Sequence, residues 1–94
     1  MKQVERLRKL INENLYESKS DIQKRFGSPT KKSEHSIWFY RNFKLSPINY
    51  ETIFIFEEDI VVDICIYEYF LAIEVKNIFY FEGKNPEFKE ISFY

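Results

Sequence analysis

At the start of the chain, apolar residues recur at three- and four-residue steps. Val4, Leu7, Leu10, Ile11 and Leu15 share one helical face, while Lys2, Arg6, Arg8 and Lys9 lie off it, which predicts an amphipathic helix over residues 2–16. The run SDIQ then sets Ser20 three residues before Gln23, the spacing of a capping box. Ile22 and Phe26 follow four apart, so a second, shorter helix is expected with both on its buried face. Gly27 can take the left-handed conformation that ends it, and Pro29 forbids continuation.

From Ile37 the period changes to two, and β-branched and aromatic residues dominate. Strands are expected at residues 37–42, 50–57, 60–69 and 73–82, the last interrupted at Lys76-Asn77. Pro47 falls in a loop before the second strand, and Gly83-Lys84-Asn85-Pro86 forms a turn into a final strand near 88–93. The second and third strands read as a hairpin around Glu58-Asp59. Alternation places Ile60, Val62, Ile64 and Ile66 in the core, with Val61, Asp63, Cys65, Tyr67 and Tyr69 on the other face. The expected fold is α+β: two N-terminal helices packed on one face of a four- to five-stranded antiparallel meander sheet, a two-layer sandwich. Ninety-four residues suffice for one domain spanning 1–94 and not for a second core.

Two strands are apolar on both faces. Trp38 and Tyr40 alternate with Ile37 and Phe39, and Phe54 and Phe56 with Ile53 and Ile55. A two-layer fold covers only one of those faces, so the other is either covered by the C-terminal segment or is an interaction surface rich in hot-spot residue types.

Charge adds a polarity. Residues 1–50 hold 11 Lys/Arg against 5 Asp/Glu, and residues 51–94 hold 3 against 10, giving +6 and −7 in a chain of net charge −1. A basic end and an acidic end can each steer a charged partner. A lone cysteine, Cys65, cannot build the disulfide framework of a small secreted domain. The N-terminal stretch alternates charge with apolar residues instead of showing the apolar run of a signal peptide. No segment reaches the roughly 18 apolar residues of a membrane helix. A soluble, cytoplasmic protein with no membrane association is expected.

The segment RFGSP closing a short helix, the polar loop TKKSEHS, then WFY and the strand pair TIFIFEEDIVVDI resemble the SmpA/OmlA-type module of small outer-membrane assembly lipoproteins. Beta-lactamase inhibitor proteins carry the same helix-helix-strand unit in duplicate. The matching positions are Ile22, Phe26, Gly27, Pro29, Trp38, Tyr40, Phe56 and Val61 or Val62, across residues 17–66. Those lipoproteins use an export signal and a lipid-bearing cysteine that this sequence does not show, so the resemblance implies a binding scaffold and not membrane assembly. In such modules the sheet face away from the helices grips another protein. Small cytoplasmic immunity proteins of bacterial toxin systems are similar in size and in lacking catalytic motifs.

Catalytic chemistry has little to stand on. His35 and Cys65 are the single histidine and cysteine, one in a polar loop and the other inside a strand, so a nucleophilic pair would require a coincidence of folding. No His/Cys/carboxylate set has metal-ligand spacing, and Gly27 and Gly83 alone cannot form a phosphate-cradling loop. No enzyme activity, metal or cofactor is expected. The leading expectation is an immunity-type inhibitor that neutralises a cognate toxin domain, itself basic and nucleic-acid-targeting. Glu57, Glu58, Asp59 and Asp63 would imitate phosphate charge, and Tyr67 and Tyr69 would anchor the complex. The alternatives are a nucleic-acid-binding or regulatory protein using Lys2, Arg6, Lys9, Lys24, Arg25, Lys31 and Lys32, or a homodimeric structural subunit.

Overall fold

The computed structural model describes residues 2–42, 47–71, 73–81 and 87–92. Helices α1 (Lys2–Asn14) and α2 (Lys19–Phe26) precede strands β1 (Ile37–Asn42), β2 (Ile48–Glu57), β3 (Ile60–Phe70), β4 (Ile73–Phe81) and β5 (Glu87–Ser92). Each strand pairs antiparallel with the next in sequence, giving the order β1-β2-β3-β4-β5. Both helices pack on one face, as expected of the α+β arrangement. Leu7 and Ile11 of α1 and Ile22 of α2 join Phe54, Phe56, Val61, Ile64, Ile66 and Ile78 in a single buried cluster. The shortest dimension, 19 Å, is that of two layers.

No glycine follows α1. Tyr16 takes a positive φ of 67°, and its N–H donates to Val61 O at 2.8 Å, while Val61 N–H returns to Glu17 O at 2.9 Å. The interhelical connector thereby pairs with the first residues of β3, where β4 is not yet alongside. Buried Asn14 closes the helix end. Its Nδ2 donates to Leu10 O at 3.0 Å, and Arg25 Nη1 from α2 donates at 2.9 Å to both Asn14 Oδ1 and Glu13 O, supplying donors to groups that a helix C-terminus leaves unpaired.

The N-cap of α2 is Ser18, not the expected Ser20. Ser18 Oγ accepts from Asp21 N–H at 3.2 Å and donates to the Asp21 carboxylate at 2.9 Å; the serine hydrogen bond holds that carboxyl below its usual pKa. The cap falls there because Ser18 also bridges to Ile60, which fixes where the chain leaves extended geometry. Gly27 ends the helix at φ 81°, ψ −159°, a region open essentially to glycine. Ile22 is fully buried, but Phe26 is 39% exposed, against the expectation for its face. As the last residue of an eight-residue helix, it meets Tyr40 and Phe54 with ring centroids at 5.7 and 5.2 Å and has no further helical turn to cover its other side.

Two bulges correct the expected alternation. Ile55 opposes Asp63 and Phe56 opposes Val61, so Val62 is an extra residue. The face therefore switches: Val61 enters the core with Ile64 and Ile66, while Ile60 and Val62 are only half-buried. The second bulge leaves Val75 unopposed between the Glu68–Lys76 and Tyr69–Glu74 pairs. Lys76 and Asn77, expected to interrupt the strand, are regularly paired. The expected turn at residues 83–86 lies outside the described residues.

The face away from the helices is not overlaid by the described C-terminal strand, which extends the sheet in its own plane. Residues of the 28–36 connection cover part of it instead. Thr30 and Glu34 N–H donate to Phe39 and Ile37 carbonyls, and Phe39 N–H donates to Ser33 Oγ, satisfying groups on the edge of β1. Lys32 then sits 4.5 Å over the Phe39 ring.

Candidate protein-interaction surface

The expected acidic residues begin at the β2–β3 turn. Glu58 and Asp59 both have positive φ, 50° and 63°, between the Glu57–Ile60 pair, as in a type I′ turn. Such turns favour Asn-Gly, because left-handed backbone costs roughly 1 kcal/mol or more at a residue with a longer side chain. Here the two strained positions carry carboxylates, and Glu57, Glu58 and Asp59 are all exposed. Asp59 is tied back by Lys19, at 3.1 Å, with His35 Nε2 at 3.9 Å.

Asp63, Tyr67 and Tyr69 follow along the outward face of β3, all half-buried. Asp63 Oδ1 accepts from Ile64 N–H at 2.8 Å, beside the bulge. The six expected residues thus share one strand and its turn without forming a cluster; the tip and Tyr69 are roughly 30 Å apart at the usual rise per residue.

Beside the two tyrosines lies a residue the sequence reading passed over. Glu51, directly opposite Tyr67, is 1% exposed. Lys32 Nζ donates to its Oε1 at 2.9 Å and stands 2.8 Å from Oε2. That second contact is ionic and lacks hydrogen-bond alignment. Tyr69 O–H donates to Oε1 at 3.2 Å, and Arg41 Nε is 4.0 Å from Oε2 while its guanidinium lies 5.2 Å from the Tyr69 ring centre. Burial, followed by the Glu51 charge, pushes the Tyr69 hydroxyl up to about 12; burial likewise raises Tyr67. The one available signal was a solitary acid inside an apolar strand. Its partners, 10 and 19 residues upstream, meet it only in the fold.

At the end of the sheet opposite the acidic tip, the helices give out. A 13-residue helix spans about 20 Å and an 11-residue strand about 36 Å, so α1 cannot cover the length of β3. Ile48, Phe70, Leu71 and Ile73 are each about half exposed or more, and with Tyr69 they line a hollow of about 570 Å3. Leu71 is the extreme case, 65% exposed at φ 51°.

His35 and Cys65 are not brought together. His35 faces Lys19, whose Nζ is 3.3 Å from Nδ1, and Asp59. Cys65 sits between Ile53 and Phe79 in register, with its thiol pushed up to about 12 by burial and the neighbouring Asp63 charge. That thiol is protonated at neutral pH and a poor nucleophile. Among the described residues no group of three or more His, Cys, Asp or Glu is placed to hold a metal ion, and no helix is long and apolar enough to cross a membrane. Several of the basic residues considered for nucleic acid have internal partners: Arg25 holds the end of α1, Lys32 holds Glu51, and Arg6 lies 3.8 Å over the Tyr50 ring.

No protein-family model, curated protein or solved structure matches the chain.

Proposed function

We propose that the chain is a non-enzymatic binding protein that meets a basic partner along the outward face of β3, in the manner of a cytoplasmic immunity-type inhibitor neutralising a nucleic-acid-targeting toxin domain. The observation that carries this reading is the strained, doubly acidic turn at Glu58-Asp59. A sequence selected for stability alone would place Asn-Gly there. Strain held at an exposed, charged tip is accounted for by a role in recognition. The tip would steer the partner by its field, and Tyr67 and Tyr69 would hold it by packing. The scaffold implied by the SmpA/OmlA-type resemblance agrees with this use of the outer sheet face.

Replacing Glu58-Asp59 with Asn-Gly tests the reading without threatening the fold. The variant should be at least as stable as the native chain, because relief of left-handed strain outweighs an exposed ion pair contributing about 0.5 kcal/mol. It should also associate more slowly with the product of the neighbouring gene at low salt, with the difference shrinking at high salt. Tyr69→Ala should instead raise the dissociation rate. Unchanged association of the Asn-Gly variant at every salt concentration would refute the acidic tip as the recognition element.

A further inference from the structure

A turn in the 28–36 connection, closed by Ser33 N–H donating to Thr30 O at 3.0 Å, is held to β1 by Thr30 N–H donating to Phe39 O at 2.9 Å. It brings Thr30 and Lys32 to the outward face of the sheet, where Arg41 of β1 stands directly opposite Glu51 of β2. These four residues line a small polar hollow of about 180 Å3. Two buried oxygens among them, Thr30 Oγ1 and Glu51 Oε2, take part in no hydrogen bond. Glu51, 1% exposed, forms the floor, and the half-exposed side chains of Lys32 and Arg41 form the walls. Lys32 donates to Oε1 and stands 2.8 Å from Oε2 without hydrogen-bond alignment. Arg41 contacts that carboxylate at 4.0 Å and the Tyr69 ring at 5.2 Å, neither of them a hydrogen bond. Two cations face one carboxylate, so the lining carries a net charge of +1.

We infer that this hollow binds a small oxyanion that carries a hydroxyl group. Arginine and lysine only donate hydrogen bonds, an ionised carboxylate only accepts them, and the threonine hydroxyl does either. A ligand lying among them therefore accepts from Arg41, Lys32 and Thr30 and donates to Glu51 Oε2. The surplus positive charge selects an anion, which a water molecule does not supply. Glu51 admits that anion only with a proton to give, because a bare anionic oxygen against a buried carboxylate is repelled. The walls are long, half-exposed side chains, and they turn to the ligand as its hydroxyl reaches Oε2. The volume lies below that of drug-sized sites and has room for one such ion. Phosphate and short 2-hydroxy acids both present this chemistry. The inference does not rest on the protein-binding proposal, which uses the turn at Glu58-Asp59 and the rings of Tyr67 and Tyr69.

Calorimetric titration in neutral buffer with phosphate, sulfate, glycolate and acetate separates the two sources of ligand. Phosphate keeps a proton at neutral pH and sulfate has none; glycolate is acetate with a hydroxyl added. Phosphate should bind at least about ten-fold more tightly than sulfate, or glycolate than acetate, and the pair that discriminates names the source. Thr30→Val keeps the side-chain shape and should weaken binding about ten-fold, with the unfolding midpoint unchanged or raised because a buried hydroxyl without a partner is gone. Glu51→Gln, which donates as well as accepts, should bring the plain ion to within about two-fold of its hydroxylated counterpart. A purely structural role for Glu51 would leave that ratio where it was. Lys31→Gln, which removes an exposed charge outside the hollow, should have a smaller effect than Thr30→Val. Circular dichroism verifies folding, and Arg41→Lys, expected to lose about ten-fold in affinity with the guanidinium fork, replaces Glu51→Gln should the latter unfold. Absence of binding by phosphate and glycolate at about 10 mM overturns the inference. So does equal binding within both pairs, or a loss in Thr30→Val no greater than in Lys31→Gln.

Discussion

The Lys32–Glu51 pair yields an asymmetric prediction. Lys32→Met removes the cation nearest Glu51 while keeping the aliphatic length that crosses Phe39. At 2.8 Å the gross attraction of unit charges is about 6 kcal/mol at an effective dielectric of 20. Breaking a buried pair from the exposed side strands a carboxylate that is 1% exposed, at a typical cost of about 3 to 5 kcal/mol. Arg41 at 4.0 Å and the Tyr69 hydroxyl at 3.2 Å remain, which reduces the expected loss to about 2 to 3 kcal/mol. Glu51→Gln breaks the pair from the buried side. It leaves two cations, each about half exposed, that water can solvate, and it keeps an oxygen for Tyr69, so the loss should be about 1 kcal/mol. The double variant should cost less than the two single losses added together, because the stranded charge is gone. Urea unfolding, followed by the fluorescence of the single tryptophan, Trp38, which packs 4.8 Å from the Phe56 ring, measures all three variants. A Lys32→Met loss smaller than that of Glu51→Gln would show that Glu51 is solvated in solution and that the 28–36 connection does not rest on it.

Phe26→Ala should cost only about 1 to 2 kcal/mol, because the ring is partly exposed, whereas Phe54→Ala, at 0% exposure, should cost about 3 to 5 kcal/mol in the same assay. Equal losses would place Phe26 in the core after all. Asn14→Ala should destabilise by about 1 to 3 kcal/mol, since it removes a buried amide that bonds both Leu10 O and the Arg25 guanidinium, although Arg25 retains Glu13 O and Glu17; a neutral result would mean that the junction is hydrated. The Cys65 pKa is raised from 9.0 to about 12, so the unfolded thiol ionises first. Stability should fall as pH climbs from about 9 towards 12, by up to about 1.4 kcal/mol per unit, and Cys65→Ala should flatten that slope in unfolding curves taken across the range. Tyr69, Tyr67 and Tyr40, raised chiefly by burial, act in the same direction, so some alkaline loss should persist in the variant.

Local pattern determined a good deal by itself. The three- and four-residue spacing from Val4 to Leu15 and the change to period two at Ile37 depend only on backbone geometry, and they located both helices and the hairpin at Glu58-Asp59. The α+β class follows from that order. Tertiary contact decided the rest. Val62 and Val75 became bulges because adjoining strands had to bend together, and this moved Val61 into the core in place of Ile60 and Val62, which no single-strand alternation could indicate. Ser18 displaced Ser20 as cap because β3 claimed its backbone. Phe26 was left open because α2 ends under the sheet edge. Glu51, an ordinary surface acid by sequence, is buried because Lys32, Arg41 and Tyr69 arrive from three other segments, and an ion pair between distant positions leaves no periodic trace in the chain. The acidic tip was legible because its residues are adjacent in sequence; the apolar hollow was not, because it arises from a difference in length between strand and helix that appears only when the two layers are stacked.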